Sequence, residues 1–165
     1  MKEKVDRRSA REYPNKKLLT LAIAVRDGKV LLAMKKRGFG EGWWNGYGGK
    51  LEPGEGLLEA AKRETEEEGR ISKISLRRRG TMWFEFEGKS ELLEIAVYSI
   101  KSFAGEPQET EEMRPEWFSL EDIPYDHMWP TDRHWLPFFL SGRKFEGYFK
   151  LTANKELLEY DVTYV

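Results

Sequence analysis

Glu64, Glu67 and Glu68 stand three and four residues apart in the run Arg63-Glu64-Thr65-Glu66-Glu67-Glu68, which gathers their carboxylates on one side of a helix. Like charges at that spacing repel, and acids near a helix C-terminus oppose the macrodipole, at about 0.3–1 kcal/mol each. A hard divalent cation relieves the cost, because it takes oxygen ligands and often brings substrate phosphates with it. A solvated acidic helix is the plain alternative, in a chain with 35% charged residues. Ahead of the helix lies a glycine loop, Gly49-Lys50-Leu51-Glu52-Pro53-Gly54-Glu55. Gly49 lets its backbone approach an ion closely, and its carbonyl is a further ligand candidate. Arg63 falls beside Glu67 and can reach back to Glu55, an orienting contact between helix and loop. Carboxylates with phosphate oxygens and water suit Mg2+, with Mn2+ the close alternative.

These groups need a scaffold. Strand candidates run over 18–25 and 30–34, joined at Asp27-Gly28, a strong hairpin signal. A glycine-rich loop, 38–48, leads into a helix over roughly 56–68, whose Leu58, Ala61 and Thr65 are expected to pack on a sheet. Two longer strands follow at about 74–87 and 91–102, separated by Glu87-Gly88-Lys89-Ser90. A polar loop at 104–112, a short strand near Trp117, a helix around 132–140 and a last hairpin, 144–151 with 157–165, complete the chain. The pattern implies an α/β sandwich on a mixed sheet. Residues 1–16 are polar and moderately basic with little to bury, so a flexible N-terminal extension is expected, followed by a single domain over 17–165.

Composition narrows the chemistry. At 165 residues, with 39% hydrophobic and 13% aromatic side chains, the chain suits one compact domain. A net charge of −1 gives no bulk attraction to nucleic acid or acidic membranes. Without cysteine there are no thiolate nucleophiles or cysteine-zinc sites, and two histidines are too few for a histidine-rich metal centre. No apolar run reaches spanning length. The expectation is a cytoplasmic monomer with no membrane association and no stable nucleic-acid binding.

Taken in order, Gly49, Glu55, Arg63, Glu64, Glu67 and Glu68 resemble the signature of the Nudix hydrolases, which cleave a nucleoside diphosphate linked to a further group. Two positions depart from it. Thr65 stands where the family prefers an aliphatic residue, and the glycine that would end the helix comes one place early, as Gly69-Arg70-Ile71. Met34–Gly40, Trp44–Lys50, Met82–Gly88, Glu111–Pro115, Asp126–Pro130 and Lys144–Lys150 extend the likeness to the animal branch of the MutT-type oxidised purine nucleoside triphosphatases. The resemblance implies a Nudix-type α/β/α sandwich. It also implies hydrolysis of substrates such as 8-oxo-dGTP or 2-hydroxy-dATP to the monophosphate and pyrophosphate.

The implied machinery is specific. Glu64, Glu67 and Glu68 would hold metal with Gly49. Glu67 would take the proton of the attacking water, and Glu112 would serve as base or additional ligand. Arg63 would orient the carboxylates. Asn45, with a donor and an acceptor, would read a purine edge, and Trp129 would stack on the base. Phe39, Phe84 and Leu93 would wall the cavity, with Thr20 and Lys35 lining the nucleotide site. The family carries two adjacent aspartates after the Trp-Pro; here they read Thr131-Asp132. A threonine hydroxyl donates and accepts but does not ionise near neutral pH, so Asp132 remains the expected base reader. Capping of the following helix by Thr131 or Asp132 stays open. The alternatives are a Nudix hydrolase of another diphosphate-linked substrate and a catalytically weak nucleotide-binding regulator.

Overall fold

The computed structural model describes residues 5–165, and residues 1–4 of the expected extension lie outside it. Eight strands form one mixed sheet: β1 (Lys16–Arg26), β2 (Lys29–Lys35), β3 (Trp44–Asn45), β4 (Ser72–Phe86), β5 (Leu92–Ala104), β6 (Met113–Ser119), β7 (Phe145–Leu151) and β8 (Leu157–Tyr164). Their order is β3-β2-β1-β5-β4-β7-β8, with β6 also paired to β2. β1 runs parallel to β5 and β4 parallel to β7, while the other pairs are antiparallel. The β1–β2 turn falls at Asp27-Gly28, where both residues take positive φ (51° and 72°), as a tight two-residue hairpin requires.

Side chains alternate across the central strands, so each face of the sheet carries its own core. On one face Leu21, Ile23, Val30 and Leu32 pack with Trp135, Leu136 and Phe139 of helix α3 (Asp132–Leu140). On the other, Ala22, Ala24, Leu31 and Ala33 pack with Tyr47, Ile71 and Ala61 of α2 (Leu57–Gly69). The result is an α/β/α sandwich.

The inner face of α2 differs by one residue from expectation. Leu57 joins the core, whereas Leu58 is 45% exposed. Helix formation starts at Leu57, so the buried stripe runs through Ala60, Ala61, Thr65 and Gly69. Thr65 is fully buried, and its hydroxyl donates to the Ala61 carbonyl at 2.7 Å. A polar group at this aliphatic position is thereby satisfied inside its own helix.

Gly69 does not end the helix in the left-handed conformation; Arg70 does, at φ 56° and ψ 35°. The reason is packing. A Cβ on Gly69 would lie 3.1 and 3.2 Å from ring carbons of Tyr47, so the glycine is held by close approach. The left-handed turn falls to the next residue, where an L side chain costs about 1–2 kcal/mol.

The segment read as a flexible extension carries a short helix, α1 (Arg7–Arg11), capped by Asp6 and Ser9 in a reciprocal box. Ala10 is fully buried against Trp83, Leu92 and Tyr148, with Val5 and Tyr13 packed beside it. Arg7 and Arg11 both pair with Glu146, and the Tyr13 hydroxyl donates to the Ser90 carbonyl at 2.9 Å. Trp83 and Tyr148 face away from the α3 core by alternation with Phe84 and Phe149, and α1 covers them. Two further elements were not expected: the two-residue strand β3 and a 3-10 turn at Tyr125–His127.

Removing residues 1–13 should therefore lower the free energy of unfolding by about 2–4 kcal/mol, since burying one large apolar side chain contributes roughly 1.5–3 kcal/mol. Urea titration of both forms measures this, and coincident midpoints would show that α1 adds nothing.

Candidate active site

The glycine loop lies flat along β1. The Thr20 amide donates to the Gly49 carbonyl at 2.9 Å, and Ala22 and Tyr47 exchange bonds of 2.6 and 3.0 Å. A Cβ on Gly48 would sit 1.9 Å from the Thr20 carbonyl oxygen, and one on Gly46 2.7 Å from that of Ala22. Only glycine permits this approach. It also turns the Gly48 amide toward α2, where it donates to Glu68 Oε1 at 2.7 Å.

Arg63 joins loop and helix, as expected. Its Nε and Nη2 grip Glu55 in a two-point contact at 2.7 and 2.9 Å, and Nη2 also donates to the Lys50 carbonyl at 3.1 Å. Nη1 reaches Glu64 at 2.9 Å and Glu67 at 3.3 Å. The guanidinium holds the Glu55 carboxyl down to about 2, with the Glu52 amide assisting. With Glu52 at 3.7 Å, Arg63 thus pairs with four carboxylates.

Lys35, Gly49, Glu64, Glu67, Glu68 and Glu112 line one cavity of about 500 Å3, together with Arg37, Gly48, Arg70, Thr110 and Glu111. The carboxylates share the space without closing on a point. Among the described residues, no group of three or more acidic or histidine side chains is drawn together tightly enough to hold a metal. The expected ligands Gly49, Glu64, Glu67, Glu68 and Glu112 all reach this cavity, and the side chains of four of them are held there by protein partners. Glu64 and Glu67 are turned to Arg63, while Glu112 pairs with Arg37 at 3.3 Å. The donor set nonetheless fits a hard cation. Its groups are carboxylate oxygens beside the Gly49 backbone, where a Cβ would collide with Glu64 Oε1 at 2.7 Å. Glu68 is pushed up to about 8 by burial, with Glu64 and Glu112 adding to the rise and the Gly48 amide opposing it. A buried carboxylate in that condition calls for positive charge.

A second group of expected residues gathers around α3. Phe39 and Trp129 meet with ring centroids 5.6 Å apart, and Trp43 meets Trp129 edge-on at 5.2 Å. Leu93 and Trp129 pack against the core that contains Phe84, which stacks on Phe149. Phe84 is thus mainly a core side chain, whereas Phe39 is 66% exposed. Asp132 is buried at the start of α3. Its Oδ1 accepts from Thr131 Oγ1 at 3.1 Å and Trp135 Nε1 at 2.9 Å, while Oδ2 has no partner. Thr131 occupies the N-cap position but makes no side-chain capping bond. Asn45 turns its carbonyl to the Gly46 amide at 2.9 Å. The Thr20 hydroxyl is buried without a partner, and alternation with Leu21 places it on the α2 face rather than with Asp132.

Sequence reasoning missed several lining groups. Gly48, Arg37 and Arg70 line the carboxylate cavity. The Lys155 ammonium lies 4.0 Å from the Phe39 ring centroid and 5.3 Å from that of Trp129. Adjacency in the Gly48-Gly49 and Trp43-Trp44 pairs was the available signal for the nearer of these. Nothing local points to Lys155.

Comparison with known proteins agrees with this geometry. A model of the NUDIX domain matches residues 16–139. An oxidized purine nucleoside triphosphate hydrolase of Danio rerio is 44% identical over 144 residues, covering 87% of this chain and 92% of that protein. One from Mus musculus is 44% identical over 146 residues, 88% of this chain and 94% of its own. The crystal structure of a MutT protein from Bacillus halodurans superposes with a TM-score of 0.78 at 30% identity, over 88% of this chain and 97% of that one.

Burial pushes the Asp132 carboxyl from 3.8 up to about 7, against the pull of Trp135 and Thr131. Between those values the folded chain keeps a proton that the unfolded chain has released. The contribution of Asp132 to stability therefore falls as pH rises through this window, and levels off above it. In EDTA, the melting temperature of wild type should drop more steeply from pH 4 to 7 than that of Asp132→Asn. Parallel slopes in calorimetry would refute the assignment.

Proposed function

We propose that this chain, which belongs to the NUDIX domain family, hydrolyses oxidised purine nucleoside triphosphates to the monophosphate and pyrophosphate. The observation that carries the reading is Asp132. A fully buried carboxyl with one free oxygen, set beside the aromatic group of Trp129, Phe39 and Phe84, is an unfilled hydrogen-bonding position for a base edge. The two relatives at 44% identity carry names that state this activity. Such hydrolases act in sanitising the nucleotide pool.

Nudix hydrolases generally use divalent metal ions. Mg2+ is the ion we assign, with Mn2+ the alternative, and Glu64, Glu67, Glu68, Glu112 and the Gly49 carbonyl are the groups that would hold it. When bound, the metal neutralises phosphate charge and makes an attacking water more acidic.

The chain's own residues supply the rest. Lys35 places a cation in the same cavity as the carboxylates, suited to phosphate oxygens. Arg63 keeps Glu64 and Glu67 apart yet aimed at that cavity, through contacts of 2.9 and 3.3 Å. Glu67, 61% exposed and open to water, takes the proton of the nucleophile. Glu112, on the loop before β6, is the additional ligand or the alternative base. Trp129 stacks on the purine, with Phe39 and Leu93 at the flanks, and the Asn45 amide group adds a polar contact, whereas the buried Thr20 hydroxyl lies on the other face of the sheet. Asp132 reads the base edge through Oδ2, and Thr131 fixes its other oxygen.

Two substitutions test this assignment. Glu67→Gln should lower turnover of 8-oxo-dGTP by about 100-fold or more, the usual scale of general-base catalysis, with little change in nucleotide binding. Turnover within a few-fold of wild type would remove Glu67 from that role. Thr131→Asp should change the ratio of catalytic efficiencies on 8-oxo-dGTP and 2-hydroxy-dATP, because it adds a second ionisable acceptor at the base. An unchanged ratio would show that Thr131 does not set base choice. Pyrophosphate release with magnesium is the assay for both, with dGTP and dATP as unmodified controls.

A further inference from the structure

We propose that Arg70 is a phosphate-binding residue of the carboxylate cavity, taking the terminal phosphates of a nucleoside triphosphate and the pyrophosphate that leaves. The proposal rests on the triphosphatase reading of that cavity and adds a residue to it.

The backbone gives the first argument. Gly69 is held against Tyr47, so the left-handed residue that ends α2 is an arginine, which pays a steric cost that glycine would not. Non-glycine residues held in that region gather at functional sites, and the outlier motivates a search for a role.

Placement gives the second. Arg70 lines the same cavity as Lys35, Glu64, Glu67 and Glu68. Of the arginines near those acids, Arg63 is committed to Glu55, Glu64 and Glu67, and Arg37 is paired with Glu112 and Glu111. The guanidinium of Arg70 makes no hydrogen bond or ion pair among the described residues. It is exposed, so an incoming phosphate can reach it.

Electrostatics gives the third. The C-terminal end of α2 is the negative pole of its dipole, and Glu66, Glu67 and Glu68 stand there without a basic residue in the last turn. A polyphosphate entering the cavity from this end meets like charge on the helix. Arg70, directly following, is the cation placed to offset it. Lys35 stands on the strand side of the cavity and Arg70 on the helix side, a pair suited to a ligand with several phosphates. A planar guanidinium also binds phosphate at two points, which a lysine does not.

The test uses the full chain and two variants, Arg70→Gly and Arg70→Lys. It reads KM and kcat on 8-oxo-dGTP, inhibition by inorganic pyrophosphate, pyrophosphate binding by calorimetry, and melting temperature. Arg70→Gly should raise both KM and the pyrophosphate dissociation constant by about 5–30-fold, the scale of one lost charge-assisted contact at an exposed site. Its kcat should stay within about threefold, and its melting temperature should hold or rise, since glycine accepts the left-handed conformation freely. Arg70→Lys should recover part of the affinity. KM and pyrophosphate affinity within twofold of wild type in Arg70→Gly would overturn the proposal. So would a fall in melting temperature matching the loss of affinity, because that marks a structural role. Absence of 8-oxo-dGTP hydrolysis in the wild type would remove the substrate reading, while pyrophosphate binding would still decide the role of Arg70.

Discussion

The site depends on one close approach. The segment Gly46–Gly49 lies against β1 at a distance no side chain permits, with the Gly48 α-carbon facing the Thr20 carbonyl. From that contact three positions follow. The Gly49 carbonyl is pinned by Thr20, the Gly48 amide is delivered to Glu68, and Tyr47 is pressed onto Gly69 at the far end of α2. The loop and the C-terminal end of the acidic helix are thus referred to a single central strand. β1 supplies the rigidity for this, because it is paired on both sides and buried on both faces.

Charge is then distributed by one arginine. Glu55, Glu64 and Glu67 meet at Arg63, so a loop and two turns of helix are bound by contacts that also lessen repulsion among the acids. Glu68 is left out of this arrangement, half-buried, and pushed up to about 8 by desolvation. The acids therefore divide into a group held by an arginine and a half-buried one held by a backbone amide. Glu64 and Glu67 are held by the part-buried Arg63, and Glu112 by the exposed Arg37.

Features that depend on local chemistry were legible in the sequence. The Asp27-Gly28 hairpin, the acidic helix with its glycine loop, the Arg63–Glu55 contact and the helix at Asp132–Leu140 each follow from a few neighbouring residues. What escaped depends on pairing across the sheet or on the phase of a single residue. Trp83, Leu92 and Tyr148 come from three strands, and only the parallel pairing of β4 with β7 and the pairing of β4 with β5 bring them together as a seat for α1. Polar composition alone made that segment look unanchored, since one buried alanine carries little weight in it. Leu57 exchanged places with Leu58 because the helix starts one residue later than its periodicity suggested. Gly69 was read as a displaced helix terminator, whereas its role is set by a tyrosine distant in sequence.

The Asp132 carboxyl shows how a single departure alters the chemistry. Thr131 and Trp135 both donate to Oδ1 of Asp132, so any proton the carboxyl holds must reside on Oδ2. Oδ2 is also the oxygen without a partner. With its pKa pushed up to about 7, that atom is a donor in one fraction of molecules and an acceptor in the rest near neutrality. A second carboxylate beside it would add a competing proton site and spread the two states over both groups. The threonine removes that competitor while keeping a hydroxyl donor in its place. On the proposed function, base recognition would thereby be concentrated on one oxygen whose hydrogen-bonding sense depends on a single proton.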